Sequence, residues 1–354
     1  MTGLATQALD LAISRFPATL APADAPAILR TAAPRLASGP QLYFECRLAG
    51  DARAVDVSQH FFADRGDGPR LLALALRQVQ RGQGESWARL ADFAEAWSAS
   101  PALAGAIPEI GLEHDLGGDG QWVAAPAVFA AFRDDTLTDR DAGERFVATV
   151  APAAAEGWRR LVATMETARA HGLVPGRMAG VMLSRDAQLR CMLRGLTPAA
   201  VGAFFRTAGW SGEREPLLTL LAEPPLATEA TRLVLGFGPD LLPDCGLEVI
   251  HARGAAGEAG RGALLAWLVE RGLADRARVR SAAAWAGRVA PMDTQAPWPA
   301  ALIARDLTAA DGRLEWFDAF LSHVKLNFIG GRLSPAKIYL GLCPMGRLEQ
   351  ADHA

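Results

Sequence analysis

One pattern recurs five times along this chain and restricts what it can fold into. Apolar and polar residues alternate with period two, break at a short turn, and alternate again. The stretches are "QLYFECRLAGDARAVDVSQHFF" (41–62), "IGLEHDLGGDGQWVAAPAVFAAF" (110–132), "RMAGVMLSRDAQLRCMLRGL" (177–196), "TRLVLGFGPDLLPDCGLEVIH" (231–251) and "SHVKLNFIGGRLSPAKIYLGL" (322–342). Glycine and aspartate mark the breaks. Alternation over a few residues signals a half-buried strand, and two such runs around a turn signal a hairpin. The sequence therefore predicts ten strands in five hairpins.

Between the hairpins the apolar spacing becomes helical. Helices are predicted at about 4–15 and 24–36, ahead of the first hairpin. After it come "GPRLLALALRQVQRG" and "ESWARLADFAEAWSAS", and after the second "GERFVATVAPAAAEGWRRLVATMETARAHG". "TPAAVGAFFRTAG" and "EREPLLTLLAE" follow the third, the former with Thr197 as N-cap and Pro198 at the first helical position. "GRGALLAWLVERG" and "ADRARVRSAAAWAG" follow the fourth; "WPAALIARDL" and "GRLEWFDAFLSHV" then read as helices leading into the fifth. The stretch "GRVAPMDTQAPWPA" (287–300) reads as a long surface loop.

Ten antiparallel strands in an open sheet would leave exposed edges, and closure removes them. The expected fold is α+β: a single ten-stranded antiparallel β-barrel surrounded by α-helices, built from five αββα repeats in one domain spanning 1–354. Two separate sheets are the competing arrangement. Closure also assigns the faces. Leu42, Phe44, Cys46 and Leu48 point outward to the helices, as do Leu189, Cys191, Leu193, Leu247, Val249, Val324, Leu326, Phe328, Ile338 and Leu340. The lumen receives Tyr43, Glu45, Arg47, Asp56, Ser58, His60, Glu113, Asp115, Arg190, Met192, Arg194, Glu248, Lys325, Asn327, Lys337 and Tyr339. Ten strands enclose more space than their side chains fill, so a ligand fits inside.

Composition excludes several classes. Half of the 354 residues are hydrophobic and 21% are charged, enough to bury a large core. Thirty-six basic against thirty-nine acidic residues leave a net charge of −3, without the basic excess of a nucleic-acid binder. The first thirty residues lack the basic and apolar regions of a secretory signal. No stretch approaches the roughly 18 apolar residues of a membrane span. Cys46, Cys191, Cys245 and Cys343 lie far apart, with no zinc-site spacing, and read as buried thiols in a reducing cytoplasm. P-loop, GxGxxG, HExxH and GxSxG motifs are absent.

Five αββα units closing a ten-stranded barrel resemble the ABBA, or PT-barrel, aromatic prenyltransferases, over nearly the whole chain. The most specific residues are in "AKIYLGL", where Lys337 and Tyr339 match a basic-x-Tyr element on an inward strand face. "LRCML" puts Arg190 and Met192 where the family often has the same element, and "YFECRL" puts Glu45 where fungal indole prenyltransferases carry an acceptor-contacting Glu. The chain departs from the pattern in having only two tyrosines, Tyr43 and Tyr339, and in carrying Asp56 near an expected basic residue. Peptide-modifying members diverge most from the small-molecule enzymes, and this chain is closest to them in spirit.

The resemblance implies transfer of a prenyl group from an isoprenyl diphosphate to an aromatic small molecule or a peptide side chain. Arg190, Arg194, Lys325 and Lys337, with Tyr339, would cradle the diphosphate, because preorganised cations in a dry cavity best meet its developing charge. Glu45 and Glu113 would position the acceptor and take its proton, with His114 and His60 as weaker candidates. Met182, Met192 and Ile250 would line the prenyl slot. No cofactor is certain; Mg²⁺ on the diphosphate stays open, with no protein metal site read from the sequence. Asp134, Asp135 and Asp139 in "RDDTLTD" read as the start of a helix rather than as metal ligands. The residues have structural readings too: the cations at strand ends, and Glu45 in a salt bridge with Arg47 or a lumen lysine. The few lumen tyrosines and the lumen acids favour the alternative function, a non-catalytic barrel binding a peptide or hydrophobic ligand as a maturation partner.

Overall fold

The computed structural model describes residues 4–20, 24–37, 41–50, 55–116, 121–133, 140–294, 296–300, 302–304 and 316–345. Alternation yields the strands β1 (Leu42–Arg47), β2 (Val55–Phe62), β3 (Glu109–His114), β4 (Ala127–Ala131), β5 (Val174–Met182), β6 (Gln188–Arg194), β7 (Thr231–Phe237) and β8 (Leu241–Val249). Then come the short β9 (Gly287–Val289), the long β10 (Trp316–Ile329), β11 (Arg332–Leu333) and β12 (Lys337–Met345). Strands β1 to β8 pair antiparallel in sequence order; β8 pairs with β10, β10 with β12, and β12 with β1. The sheet closes on itself as a ten-stranded barrel, and β9 and β11 pair only with β10. Continuous pairing rules out two separate sheets.

The helices are α1 (Leu4–Arg15), α2 (Ala25–Ala32), α3 (Gly68–Gln80), α4 (Glu85–Ala99), α5 (Pro101–Ala106), α6 (Arg140–Val150), α7 (Ala155–Ala170), α8 (Pro198–Ala208), α9 (Arg214–Leu221), α10 (Ala255–Glu270) and α11 (Arg276–Ala283). The core lies between them and the barrel's outer face. Phe44, Cys46, Leu193, Leu247, Leu326, Ile338 and Leu340 are buried there, with Trp87, Trp97 and Trp158 packed from the helix side. Burying this outward stripe leaves the alternate residues no place but the lumen. Cys46, Cys191, Cys245 and Cys343 are buried thiols. Among the described residues no helix is long and apolar enough to cross a membrane.

Thr197 caps α8 as its sequence predicts: its hydroxyl accepts from the Ala200 N–H at 3.2 Å, with Pro198 next. Thr197→Ala is expected to cost about 1 kcal/mol, read as a lower thermal midpoint.

Two expectations fail. Of the stretch "GRLEWFDAFLSHV", the described residues from Trp316 onward are not helical but form the first half of β10. Its pairing with β12 over Trp316–Leu321 decides the matter against its helical spacing. Nor is 287–300 all loop: β9 pairs with Phe317–Ala319, Val289 is buried, and a 3₁₀ turn covers Pro291–Asp293. Asp134, Asp135 and Asp139 lie outside the described residues.

Candidate active site

The register fixes which lumen side chains meet. Glu45 sits opposite Asp56 on β2 and opposite Tyr339 on β12, and Arg47 sits opposite Lys337. On the next strand, β10, Lys325 sits opposite Lys337 and, on its other side, opposite Glu248. Charges far apart in sequence are thus stacked around one cross-section of the barrel.

The interior holds two adjoining compartments. One, of about 310 Å³, is polar and lined by Glu45, Arg47, Asp56, Asp115, Asn327 and Lys337. The other, of about 260 Å³, is lined by Tyr43, His60, Gly111, Phe129, Met178, Gly180, Met192, Val234, Ile250, His323 and Tyr339. Glu113, Arg190 and Lys325 line both and form the boundary.

Glu45, 3% exposed, is the hub. Lys337 Nζ donates to its Oε1 at 2.6 Å, Arg47 lies 3.0 Å from the same oxygen, and the Tyr339 hydroxyl donates to Oε2. Burial alone would raise the Glu45 pKa, but Lys337, Lys325 and Arg47 outweigh it and hold the carboxyl far below the usual range. Arg47 also binds Asp56 at 2.7 Å, and Lys325 lies 3.6 Å from Glu248. Glu45 therefore makes the structural salt bridges that its sequence context allowed.

Two buried carboxyls behave in the opposite way. Burial, and then the negative field of Glu45, raises Glu113 to about 7; Tyr339 stands 3.4 Å from its Oε2. Asp56 is raised to about 7 by the same two causes, although Arg47 and the Leu116 N–H, 2.8 Å away, oppose them. The lumen thus carries two carboxyls able to hold protons near neutral pH.

Arg190 differs from the other boundary cation. Among the described residues no carboxylate lies within ion-pair distance of it, whereas Lys325 has Glu248. Arg194, expected in the same cradle, instead lines a groove at the other mouth of the barrel with Arg177 and Arg232. Of the expected prenyl-slot residues, Met192 and Ile250 line the apolar compartment, Ile250 at its mouth. Met182 is buried and does not line it; its register opposite Gln188 keeps it on the inward face beside Gly180 and Phe129. His114 faces outward, fully buried and stacked on Trp87, and burial then Arg35 lowers its pKa to about 3. His60 lines the lumen, bound to Glu109. Among the described residues no group of three or more His, Cys, Asp or Glu could hold a metal ion.

The sequence places Arg47 inside as a possible partner of Glu45 but gives it no part in the diphosphate cradle, and Ser322 and His323 are not among its candidates. Both line the apolar compartment. The signal was there: outward apolar residues fall on odd positions from Phe317 to Leu321 and on even positions from Val324 to Phe328. Such a parity change marks a bulge.

No protein-family model matches the sequence, and no curated protein matches it. Solved structures do. A 6-dimethylallyltryptophan synthase from Micromonospora olivasterospora, in complex with DMASPP and Trp, is 16% identical and superposes with a TM-score of 0.52 over 96% of this chain and 97% of that one. A second structure of a 6-dimethylallyl tryptophan synthase is 15% identical, with a TM-score of 0.52 over 95% of each chain. Closed barrel, encircling helices and a match that covers nearly all of both chains agree: this chain has the ABBA, or PT-barrel, fold of the aromatic prenyltransferases.

Proposed function

We propose that the chain transfers a prenyl group from an isoprenyl diphosphate to an aromatic or peptide side-chain acceptor inside the barrel. The observation that carries this reading is the boundary between the compartments. Arg190 and Lys325 stand where a leaving diphosphate would meet the charged side while its prenyl tail lies among Met178, Met192, Phe129 and Tyr339. Arg47 and Lys337 add positive charge behind them. Charge that develops on the diphosphate as its carbon–oxygen bond breaks is met by fixed cations in a water-poor cavity. The solved structure with DMASPP and Trp supports the reading by fold.

Glu45 serves as a fixed anion that orients Lys337, Arg47 and Tyr339, because a carboxylate with three donors is a poor proton acceptor. Glu113, facing the apolar compartment, positions an N–H or O–H of the acceptor. Any Mg²⁺ arrives on the diphosphate as part of the substrate, since Glu45, Asp56 and Glu248 are already engaged by cations. The four buried thiols fit a cytoplasmic setting. Incubation with dimethylallyl, geranyl and farnesyl diphosphates and a panel of tryptophan, tyrosine and peptides containing them tests the proposal. Mass spectrometry should show an acceptor heavier by one prenyl unit; no product from any pair would reject it.

A second reading, a barrel that binds a peptide or hydrophobic ligand without chemistry, draws on the pairing of Lys337, Arg47 and Lys325 with carboxylates. Proton linkage bears on both readings. Asp56 and Glu113 titrate near 7 because they are buried near Glu45, and a diphosphate beside them favours their protonated forms. Diphosphate binding is therefore expected to take up protons and to weaken as pH rises through roughly 6 to 8. Calorimetry in two buffers of different ionisation heat measures the uptake; affinity independent of pH would show that the anion does not occupy this compartment.

A further inference from the structure

Strand β10 breaks its own alternation at one place. Its pairing with β12 slips between Leu321 and His323, so that Leu321 faces Leu340 while His323 faces Tyr339. One extra residue is absorbed there. Ser322 and His323, consecutive in sequence, consequently both line the apolar compartment. Bulges beside active sites commonly re-aim a side chain. Here His323 keeps the inward parity of Lys325 and Asn327, and the extra residue, Ser322, is turned onto the same face beside it.

The His323 ring is held on two sides. It stacks on Tyr339, with centroids 4.0 Å apart and planes 17° apart, and its Nδ1 lies 3.0 Å from Ser322 Oγ. With the proton on Nδ1 and donated to Ser322, Nε2 carries a lone pair. Burial, and then Lys325 and His60, favour the neutral ring; Glu248 and Glu45 oppose them. The charged and titratable groups around it are thus Lys325 on its own strand, Tyr339 on β12, Glu45 on β1, His60 on β2 and Glu248 on β8.

We infer that His323 accepts the proton that the acceptor loses once its bond to the prenyl carbon has formed. This rests on the transferase reading above. The carbon–oxygen bond of the diphosphate ester breaks and its electron pair leaves with the diphosphate. A π pair of the aromatic ring forms the new carbon–carbon bond. The pair of the ring C–H bond restores aromaticity, and the proton passes to His323 Nε2. The imidazolium so formed is stabilised by the Tyr339 ring face and by the fields of Glu248 and Glu45.

The test compares His323→Phe, which keeps a ring to stack on Tyr339, with His323→Ala, which opens room for free imidazole. Dimethylallyl diphosphate is the donor, with L-tryptophan and a tryptophan-containing peptide as acceptors. Both variants are expected to lose about 100-fold or more in kcat with little change in KM for the diphosphate. Diphosphate release should persist, uncoupled from acceptor prenylation. Ring-deuterated acceptor should slow the residual reaction, and imidazole should restore His323→Ala. Wild-type turnover in His323→Phe would overturn the inference while leaving the transferase reading in place. So would parallel loss of product and diphosphate release with no isotope effect. If the wild-type protein prenylates neither acceptor, the transferase reading fails for them and the inference falls with it.

Discussion

Replacing Arg190 with methionine is expected to lower prenyl transfer by about 100- to 1000-fold while leaving the thermal midpoint nearly unchanged. The two halves of that expectation have separate causes. Arg190 lines both lumen compartments and, among the described residues, has no carboxylate partner. Its positive charge is therefore available to a ligand oxygen without first breaking an ion pair. Losing one preorganised donor that meets charge developing in the transition state typically costs that much in rate. Stability should hold because no buried partner is orphaned, and methionine fills much of the same space. Lys337 is a less clean probe, since its loss would also strip Glu45 of a 2.6 Å partner. The checks are single-turnover rates with dimethylallyl diphosphate and a thermal melt. Full activity in Arg190→Met would remove the boundary cation from the chemistry, and with it the main support for a transferase.

How much of this could be read from the sequence depends on the range of the interaction involved. The barrel was legible because its information is local. Each strand from β1 to β8 shows its outward stripe within a few residues, as in Leu42, Phe44, Cys46 and Leu48. Inward placement of Glu45, Arg190, Lys325 and Lys337 followed from the same parity. The failure at 316–324 has an equally local cause. Leu314, Phe317, Leu321 and Val324 recur at three- and four-residue intervals and mimic one face of a helix. Pairing with β12 and β9 overrides that spacing, and no sequence window contains those partners. The bulge at Ser322 compounded the error, because it interrupts the alternation that would have identified a strand.

Site assignments were legible only as to face. Parity says that Arg194 and Arg190 share a side of β6, but not that Arg194 belongs to the far mouth with Arg177 and Arg232. Position along the barrel axis depends on strand stagger, which is set by closure over all ten strands. Nor could sequence choose among the possible partners of Glu45. Lys337 stands 292 residues away in the chain, and antiparallel pairing of the first strand with the last brings them together.

That long-range pairing supports the other large expected effect. Glu45→Gln should destabilise the fold by about 3–5 kcal/mol, the usual cost of removing one partner from a buried ion pair. Glutamine keeps the shape and can still accept from Tyr339, so the loss is chiefly the charge that balances Lys337 and Arg47. The same substitution leaves Lys337 without its Glu45 carboxylate and Arg47 with Asp56, which makes the compartment a stronger anion site. Pyrophosphate should therefore raise the thermal midpoint of Glu45→Gln more than that of the wild type. The pH response should change as well. In the wild type, Asp56 and Glu113 release protons near 7 when folded but near 4 when unfolded, so their contribution to stability falls as pH rises between those values. Glu45 contributes to both raised values, so its loss should lower them and flatten that decline. Glu45 itself has a depressed value, and its contribution is kept above the ordinary carboxylate range and lost as pH falls below it. Denaturant and thermal melts from roughly pH 2 to 8, with and without pyrophosphate, measure these effects. A variant as stable as the wild type and indifferent to pyrophosphate would mean that Lys337 and Arg47 are neutralised by solvent rather than by Glu45. The lumen would then be too wet to favour ionisation of a diphosphate ester.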